Sequence, residues 1–219
     1  MRYLWTEDTG AGAHYWQLVN QFVVESKGSN QGLLDAVRSL EPAKDDMYYL
    51  AFDLVYDNMD VVNKYLELQK LAKKYPRQII ILDMICFEYI IFSYRNLIEW
   101  TGTGKMDKVS MRNAILPVIN NHKIELDGIT DQKTREYLMG FKRYSTERVL
   151  KSITYELTEN DEWSVKGEKM GRCWYADCCV AENVQKTKCH IDKNRIGKDK
   201  ILQLLNDLET QRIVRDMKR

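Results

Sequence analysis

The chain has 219 residues, of which 44% are hydrophobic and 30% are charged, and its formal net charge at pH 7 is +1. This length and composition are typical of one soluble globular domain, or one domain with a small appendage, and they exclude a disordered chain. The balanced charge excludes a basic field over the whole chain, so any contact with nucleic acid must come from a local patch.

The first 100 residues alternate between short apolar runs, which predict strands, and amphipathic segments, which predict helices. The strongest strand signal is the uncharged run from Met47 to Phe52, which leads directly into Asp53. The predicted strands cover residues 3–6, 22–24, 48–52 and 79–82, and the predicted helices cover residues 14–22, 31–40, 59–74 and 89–100. This alternation predicts an α/β fold with a mainly parallel sheet and helices on its faces.

The second half of the chain has a different pattern. A Thr-Gly repeat at residues 101–104 marks a boundary between an α/β domain over residues 1–100 and a helical C-terminal region over residues 101–219. Helices are predicted over residues 108–121, 131–140, 145–157 and 198–213. Pro117 is expected to kink or end the first of these.

Acidic residues follow every predicted strand. They are Glu7 and Asp8, then Glu25, then Asp53 and Asp57, and finally Asp83 with Glu88 a little beyond. The carboxyl ends of parallel strands lie at one edge of a sheet, and carboxylates crowded there repel one another unless they are protonated or neutralised by a cation. Oxygen-rich clusters suit Mg²⁺ or Mn²⁺, ions that orient a phosphodiester and activate water. The simpler interpretation is that these acids cap helices.

The order of these motifs resembles a known fold. A first strand ends in Glu7, a V-E-S-K-G-S-N segment follows, a hydrophobic strand leads into Asp53, and F-E-Y-I-I places Glu88 after the fourth strand. Over residues 1–100 this order resembles the TOPRIM fold, in the branch found in the OLD (overcoming lysogenization defect) family nucleases and related bacterial defence proteins.

The resemblance implies a role for individual residues. Glu7 resembles the family's first-strand Glu, Asp53 the leading Asp of its D-x-D motif, and Glu88 the Glu that opens a later helix. In the family these groups bind divalent metal for DNA cleavage. The chain departs from the family at Asp8, where the family has Gly, and at Val55, where the second Asp of D-x-D falls.

The carboxylates at the strand ends and the resemblance together predict a divalent-metal-dependent nuclease that hydrolyses phosphodiesters in nucleic acid. The resemblance implies a bacterial defence or mobile-element system. Its expected Mg²⁺ or Mn²⁺ ligands and catalytic carboxylates are Glu7, Asp53, Asp57 and Glu88, and Lys27 is expected to steady the phosphate. The alternative is a catalytically inactive module of the same fold that binds nucleic acid, a nucleotide or a protein partner.

Four cysteines and a histidine lie close together near the C-terminus, in the order Cys173, Cys178, Cys179, Cys189 and His190. They are either ligands of one tetrahedral Zn²⁺, which would staple residues 171–190, or reduced and partly buried thiols. The fifth cysteine, Cys86, is expected to be a core residue. No segment resembles an export signal or a membrane span, so we expect a cytoplasmic protein with no membrane partner.

One further segment, residues 141–151 with the sequence FKRYSTERVLK, interleaves aromatic and basic side chains. Such a segment either contacts a nucleic-acid backbone or forms a solvated helix face.

Overall fold

The structure, a computed structural model, describes residues 1–8, 11–19, 22–101, 106–157 and 203–217. At its centre is a sheet of four strands, β1 (Arg2–Thr6), β2 (Val23–Ser26), β3 (Met47–Ala51) and β4 (Ile79–Ile81). The strand order is β2-β1-β3-β4, and every neighbouring pair is parallel. The predicted α/β fold with a mainly parallel sheet is therefore confirmed.

Strand β3 lies inside the sheet, between β1 and β4, and the side chains from Tyr48 to Phe52 are all buried. A strand covered on both faces reads as a continuous apolar run, which is why its sequence signal is strong. The chain leaves β1 toward β2 and then crosses back to β3, so the strand order reverses between β1 and β3. In open parallel sheets such a reversal opens a crevice at the carboxyl ends of the strands, where ligands bind.

Helices cover both faces of the sheet. Within the described residues they are α1 (Ala11–Leu18), α2 (Asn30–Arg38), α3 (Met59–Ala72), α4 (Phe87–Ser93), α5 (Leu97–Thr101), α6 (Met106–Ile115), α7 (Gln132–Met139), α8 (Thr146–Leu157) and α9 (Leu208–Met217). Helices α2 and α3 pack against each other. Helix α4 packs against α8 and α9, and it contacts α1 through the rings of Tyr15 and Phe87. None of the described helices is long and apolar enough to cross a membrane.

One hydrophobic core joins the two halves of the chain. The buried side chains of Ile153 in α8 and Ile213 in α9 belong to the same cluster as Leu4 and Phe52. The division into a domain over residues 1–100 and a separate region over residues 101–219 stays a prediction.

The helix predicted over residues 89–100 is interrupted at Tyr94, which ends α4. The reason lies in the second half of the chain. Arg112 is 4% exposed, and its guanidinium donates hydrogen bonds to the carbonyl oxygens of Phe92 (2.6 Å) and Tyr94 (2.8 Å). These carbonyls at the end of α4 thereby keep partners that a continuous helix would have supplied.

The helix predicted over residues 108–121 is too long. Helix α6 ends at Ile115, and Pro117 lies in a 3₁₀ turn over Leu116–Val118. Strands β5 (Ile119–Asn120) and β6 (Lys123–Ile124) follow as an antiparallel hairpin. Its two turn residues, Asn121 and His122, have φ angles of 45° and 58°. Left-handed residues at both turn positions match the twist of a short hairpin. The sequence did not indicate this turn because it has histidine at the second position, where glycine is usual.

Candidate metal centre

The acids that follow β1 and β3 meet at the carboxyl edge of the sheet, where the strand order reverses. Thr6 pairs with Ala51 in the register of the two strands, and Asp8 and Asp53 each stand two residues beyond that pair. The carboxyl group of Glu7 lies within hydrogen-bond distance of the Asp53 carboxyl group. The sheet therefore brings three carboxyl groups from two adjacent strands to one place.

Asp53 is the most deeply buried of these acids, with 2% of its surface exposed. Its two carboxylate oxygens receive no hydrogen bond from an N–H or O–H group of the described residues. The group that meets them is the carboxyl of Glu7, so this contact requires a proton or a cation between the two acids. The backbone carbonyl of Asp53 accepts a 3.0 Å hydrogen bond from the Asn30 side chain, which fixes the loop after β3.

The start of helix α4 brings two more groups to the cluster. Cys86 immediately precedes the helix, Glu88 lies in its first turn, and both are buried. One donor atom each from Asp53, Cys86 and Glu88 lie within 4.8 Å of one another. These three residues form a buried group that could hold a metal ion.

Helix α8 closes the cluster from the side that packs on α4. The Lys151 ammonium lies 2.5 Å from Glu147 Oε1 and 3.7 Å from Glu88 Oε1. Glu147 and Lys151 are four residues apart on the same helix, so their side chains point the same way. The acidic cluster thus contains at least one positive charge, provided by the protein itself.

Burial and mutual repulsion dominate the electrostatics of the cluster. Burial raises the pKa of Asp8 from 3.8 to about 8, and the charges of Glu7 and Glu88 add to this effect. Burial also raises the pKa of Asp53 well above its ordinary value and raises that of Glu7. For Cys86, burial and the neighbouring acids raise the pKa of the thiol well above its ordinary value. Without a cation, these acids hold their protons to higher pH than exposed acids do.

Asp8 lies in this cluster because the start of α1 leaves room for it. A Cβ atom at Gly12 would stand 2.3 Å from Cγ of Asp8. The Thr6 hydroxyl donates a 3.0 Å hydrogen bond to the Asp8 carboxylate. Glycine at position 12 therefore permits the close approach of the Asp8 carboxyl group to the helix.

Two of the predicted catalytic residues make other contacts. Asp57 accepts hydrogen bonds from the backbone N–H (2.8 Å) and the hydroxyl (2.7 Å) of Thr146, and so caps the start of α8. Lys27 donates to Glu25 at 2.6 Å and lies 4.0 Å from the ring centroid of Trp5. Both contacts account for these residues without a metal.

The cap made by Asp57 predicts a stability effect. Asp57→Ala is expected to lower the free energy of unfolding by about 1–2 kcal/mol, because it removes two hydrogen bonds at the start of a packed helix. Urea unfolding beside Thr146→Ala and the double variant measures the coupling between the two side chains. A double variant whose loss equals the sum of the single losses would contradict the contact.

The acid after β4 also has partners. Asp83 accepts hydrogen bonds from His122 (2.7 Å) and Arg212 (2.6 Å), and thereby ties the β5–β6 hairpin and α9 to the sheet edge. The predicted zinc ligands Cys173, Cys178, Cys179, Cys189 and His190 lie outside the described residues.

The first part of the aromatic and basic segment, residues 141–145, immediately precedes α8 and lies beside a cavity of about 510 Å³. Phe141 and Tyr144 line this cavity together with apolar side chains of α7, and Lys142 and Arg143 between them are exposed. The last basic residue of the segment, Lys151, turns instead toward the acids. The segment therefore connects an open, aromatic and basic surface to the acidic cluster.

The sequence predicted that Glu7, Asp53 and Glu88 share a site. It did not place three of their neighbours there, namely Asp8, Cys86 and Glu147. Asp8 and Cys86 had a signal, since one follows the predicted Glu directly and the other precedes Glu88 by two residues. Glu147 had none, because its place depends on how α8 packs against α4.

The fold and the cluster define an α/β protein with a candidate metal centre at the carboxyl edge of its parallel sheet. Comparisons of the chain with protein-family models, with curated proteins and with solved structures give no match.

Proposed function

We propose that the protein is a divalent-metal-dependent nuclease, in which Glu7, Asp53 and Glu88 hold Mg²⁺ or Mn²⁺. The observation that carries this proposal is the carboxylate of Asp53. It is buried among other acids, and no N–H or O–H donor of the described residues satisfies it. Two buried carboxyl groups in contact need a proton or a cation between them, and we propose that the protein uses a cation.

The chemistry of the donor set suits this role. Carboxylate oxygens are the ligands that Mg²⁺ and Mn²⁺ prefer. A divalent ion bound here supplies Lewis acidity, which draws charge from a phosphodiester and lowers the pKa of water. Glu7 and Asp53 would hold the ion at the edge of the sheet, and Glu88 would hold it from α4.

Lys151 is a basic residue beside the acids, and its ammonium could stabilise the negative charge that develops on the phosphate in the transition state. Its ion pair with Glu147 directs the ammonium toward Glu88, and only 19% of the Lys151 side chain is exposed. A positive charge held in a partly dry site stabilises an anionic transition state more strongly than one in water. We propose this role for Lys151 beside Lys27; each ammonium also pairs with a glutamate, at 2.5 Å for Lys151 and 2.6 Å for Lys27.

Nucleic acid is the phosphodiester that the surroundings favour. Phe141 and Tyr144 offer aromatic surfaces on which bases can stack, and Lys142 and Arg143 are exposed for backbone phosphates. This surface immediately precedes α8, the helix that carries Glu147 and Lys151 into the acidic cluster.

The direct test is cleavage of labelled single- and double-stranded DNA and RNA with Mg²⁺ or Mn²⁺, beside reactions with EDTA. We expect cleavage that requires the ion and that is lost in Glu88→Gln. The matched control is Glu41→Gln, an exposed glutamate outside the cluster that should cleave like the wild type. Cleavage that survives EDTA or Glu88→Gln would contradict the proposal.

A second candidate is a catalytically inactive module of the same fold that binds nucleic acid, a nucleotide or a protein partner. The observation that favours it is the engagement of Asp57 and Lys27 in contacts that need no metal or substrate. This module would bind nucleic acid without turnover, and the binding would be unchanged in Glu88→Gln.

A further inference from the structure

Cys86 lies among charged groups instead of in a purely apolar environment. Its side chain is fully buried, and its Sγ is grouped with one oxygen of Asp53 and one of Glu88 within 4.8 Å. It occupies the position before α4, where polar side chains usually cap the helix, yet its side chain makes no capping hydrogen bond. Cys86 belongs to the hydrophobic core, as the sequence predicted, but helix capping does not account for the position of its thiol beside the two acids.

The spacing of the three donor atoms suits a single ion. A transition ion lies about 2.1 Å from a carboxylate oxygen and about 2.3 Å from a thiolate sulfur, so two such donors stand at most about 4.4 Å apart. The three donor atoms lie within 4.8 Å of one another, which is close to this limit. All three residues are buried, so water competes weakly for the ion.

Asp53 supplies an independent indication of a ligand. Its carboxylate is 2% exposed, belongs to this same group, and receives no hydrogen bond from the described N–H and O–H groups. This observation is independent of Cys86, because it concerns only the hydrogen-bond donors around the two Asp53 oxygens.

We propose that Cys86 is a metal ligand, and that its sulfur binds one divalent transition ion together with Asp53 and Glu88 in preference to Mg²⁺. The class of ion is Zn²⁺, Co²⁺ or Fe²⁺, because a thiolate ligand suits these ions, whereas Mg²⁺ and Mn²⁺ prefer oxygen ligands. When the ion binds, the S–H bond breaks, the proton passes to solvent and a sulfur–metal bond forms. The inference rests on the proposed function, since both use Asp53 and Glu88, and it restricts the ion that the centre selects.

The test uses Co²⁺, whose bonds to thiolate sulfur give a charge-transfer absorption band in the near ultraviolet. The full chain contains five cysteines, so Cys173, Cys178, Cys179 and Cys189 are replaced by Ser to leave Cys86 as the only thiol. We expect this variant to show the band on titration with Co²⁺. Adding Cys86→Ser should abolish the band, and adding Asp53→Asn should weaken Co²⁺ binding.

A second measurement keeps the test valid if the four-serine variant fails to fold. In the wild-type background, Cys86→Ser should remove the contribution of one thiolate from the Co²⁺ spectrum. It should also weaken Co²⁺ binding at this centre by about tenfold or more, since even loss of an outer partner costs about 10–100-fold. Mg²⁺ affinity should remain unchanged.

The outcomes separate this inference from the proposed function. If Mn²⁺ binds and requires Asp53 but no spectrum depends on Cys86, the thiol is not a ligand and the nuclease proposal is unaffected. If neither Mg²⁺ nor any transition ion binds to the cluster, both proposals fail.

Discussion

Asp53→Asn is expected to lower metal-dependent cleavage by about 10³-fold or more. The substitution removes a charged ligand, and an ion that contributes about 4 kcal/mol of transition-state stabilisation accounts for a factor of this size. The same change should stabilise the metal-free protein at about pH 8 by on the order of 1 kcal/mol, because the new amide donates a hydrogen bond to a neighbouring acid without having to bind a proton. Cleavage assays and urea unfolding in EDTA measure the two effects.

The matched control is Asp45→Asn, which changes an exposed aspartate just before β3. It should leave both the rate and the stability close to those of the wild type. The two effects of Asp53→Asn have opposite signs, which distinguishes a metal ligand from a structural residue. A variant that loses both activity and stability would show that Asp53 supports the fold and would contradict our assignment.

The metal-free protein is expected to become less stable as the pH rises from about 5.5 to about 8.5. Burial raises the pKa of Asp8 from 3.8 to about 8, and it raises those of Glu7 and Asp53 as well. A carboxyl group with a raised pKa binds its proton more tightly in the folded state. Its contribution to stability is complete below the ordinary pKa and is lost as the pH rises through the folded value. We expect the melting temperature in EDTA to fall by on the order of 5 °C or more.

Melting temperatures measured above pH 5 separate this loss of stability from the effect of protonating other carboxyl groups. The pKa of Asp83 is lowered by its pairs with Arg212 and His122 despite partial burial, and such groups destabilise the fold only in more acid solution. Asp8→Asn should flatten the dependence on pH, and Mn²⁺ should restore stability at the upper end. A melting temperature that rises toward pH 8.5 in EDTA would contradict the burial of these acids.

The sequence predicted the sheet well because its central strand is buried on both faces. The run from Met47 to Phe52 is apolar throughout, and it became β3 with all but its first residue buried. Alternation with amphipathic segments then predicted parallel pairing. Two helix predictions were wrong, one because of a tertiary contact and the other because the local turn signal is weak. The break at Tyr94 depends on Arg112, which is 18 residues away, and the turn at Asn121 has no glycine.

In the candidate site too, the sequence predicted what the strands position and missed what depends on packing between distant helices. Glu7 and Asp53 could be predicted to meet because each follows a strand, and the end of a parallel strand fixes its position at one edge of the sheet. Asp57 is also close in sequence to β3, yet it caps α8, a helix that begins 89 residues later. Glu147 and Lys151 reach the acids only through the packing of α8 against α4. No local pattern encodes those contacts.

The measurement that tests the central claim most directly is a calorimetric titration of Mn²⁺ into the purified protein, beside Asp53→Asn and Asp45→Asn. We predict that the wild type and Asp45→Asn bind at least one ion at the acidic cluster, and that Asp53→Asn does not bind this ion. Equal binding by all three proteins, or binding by none, would contradict a metal centre built on Asp53.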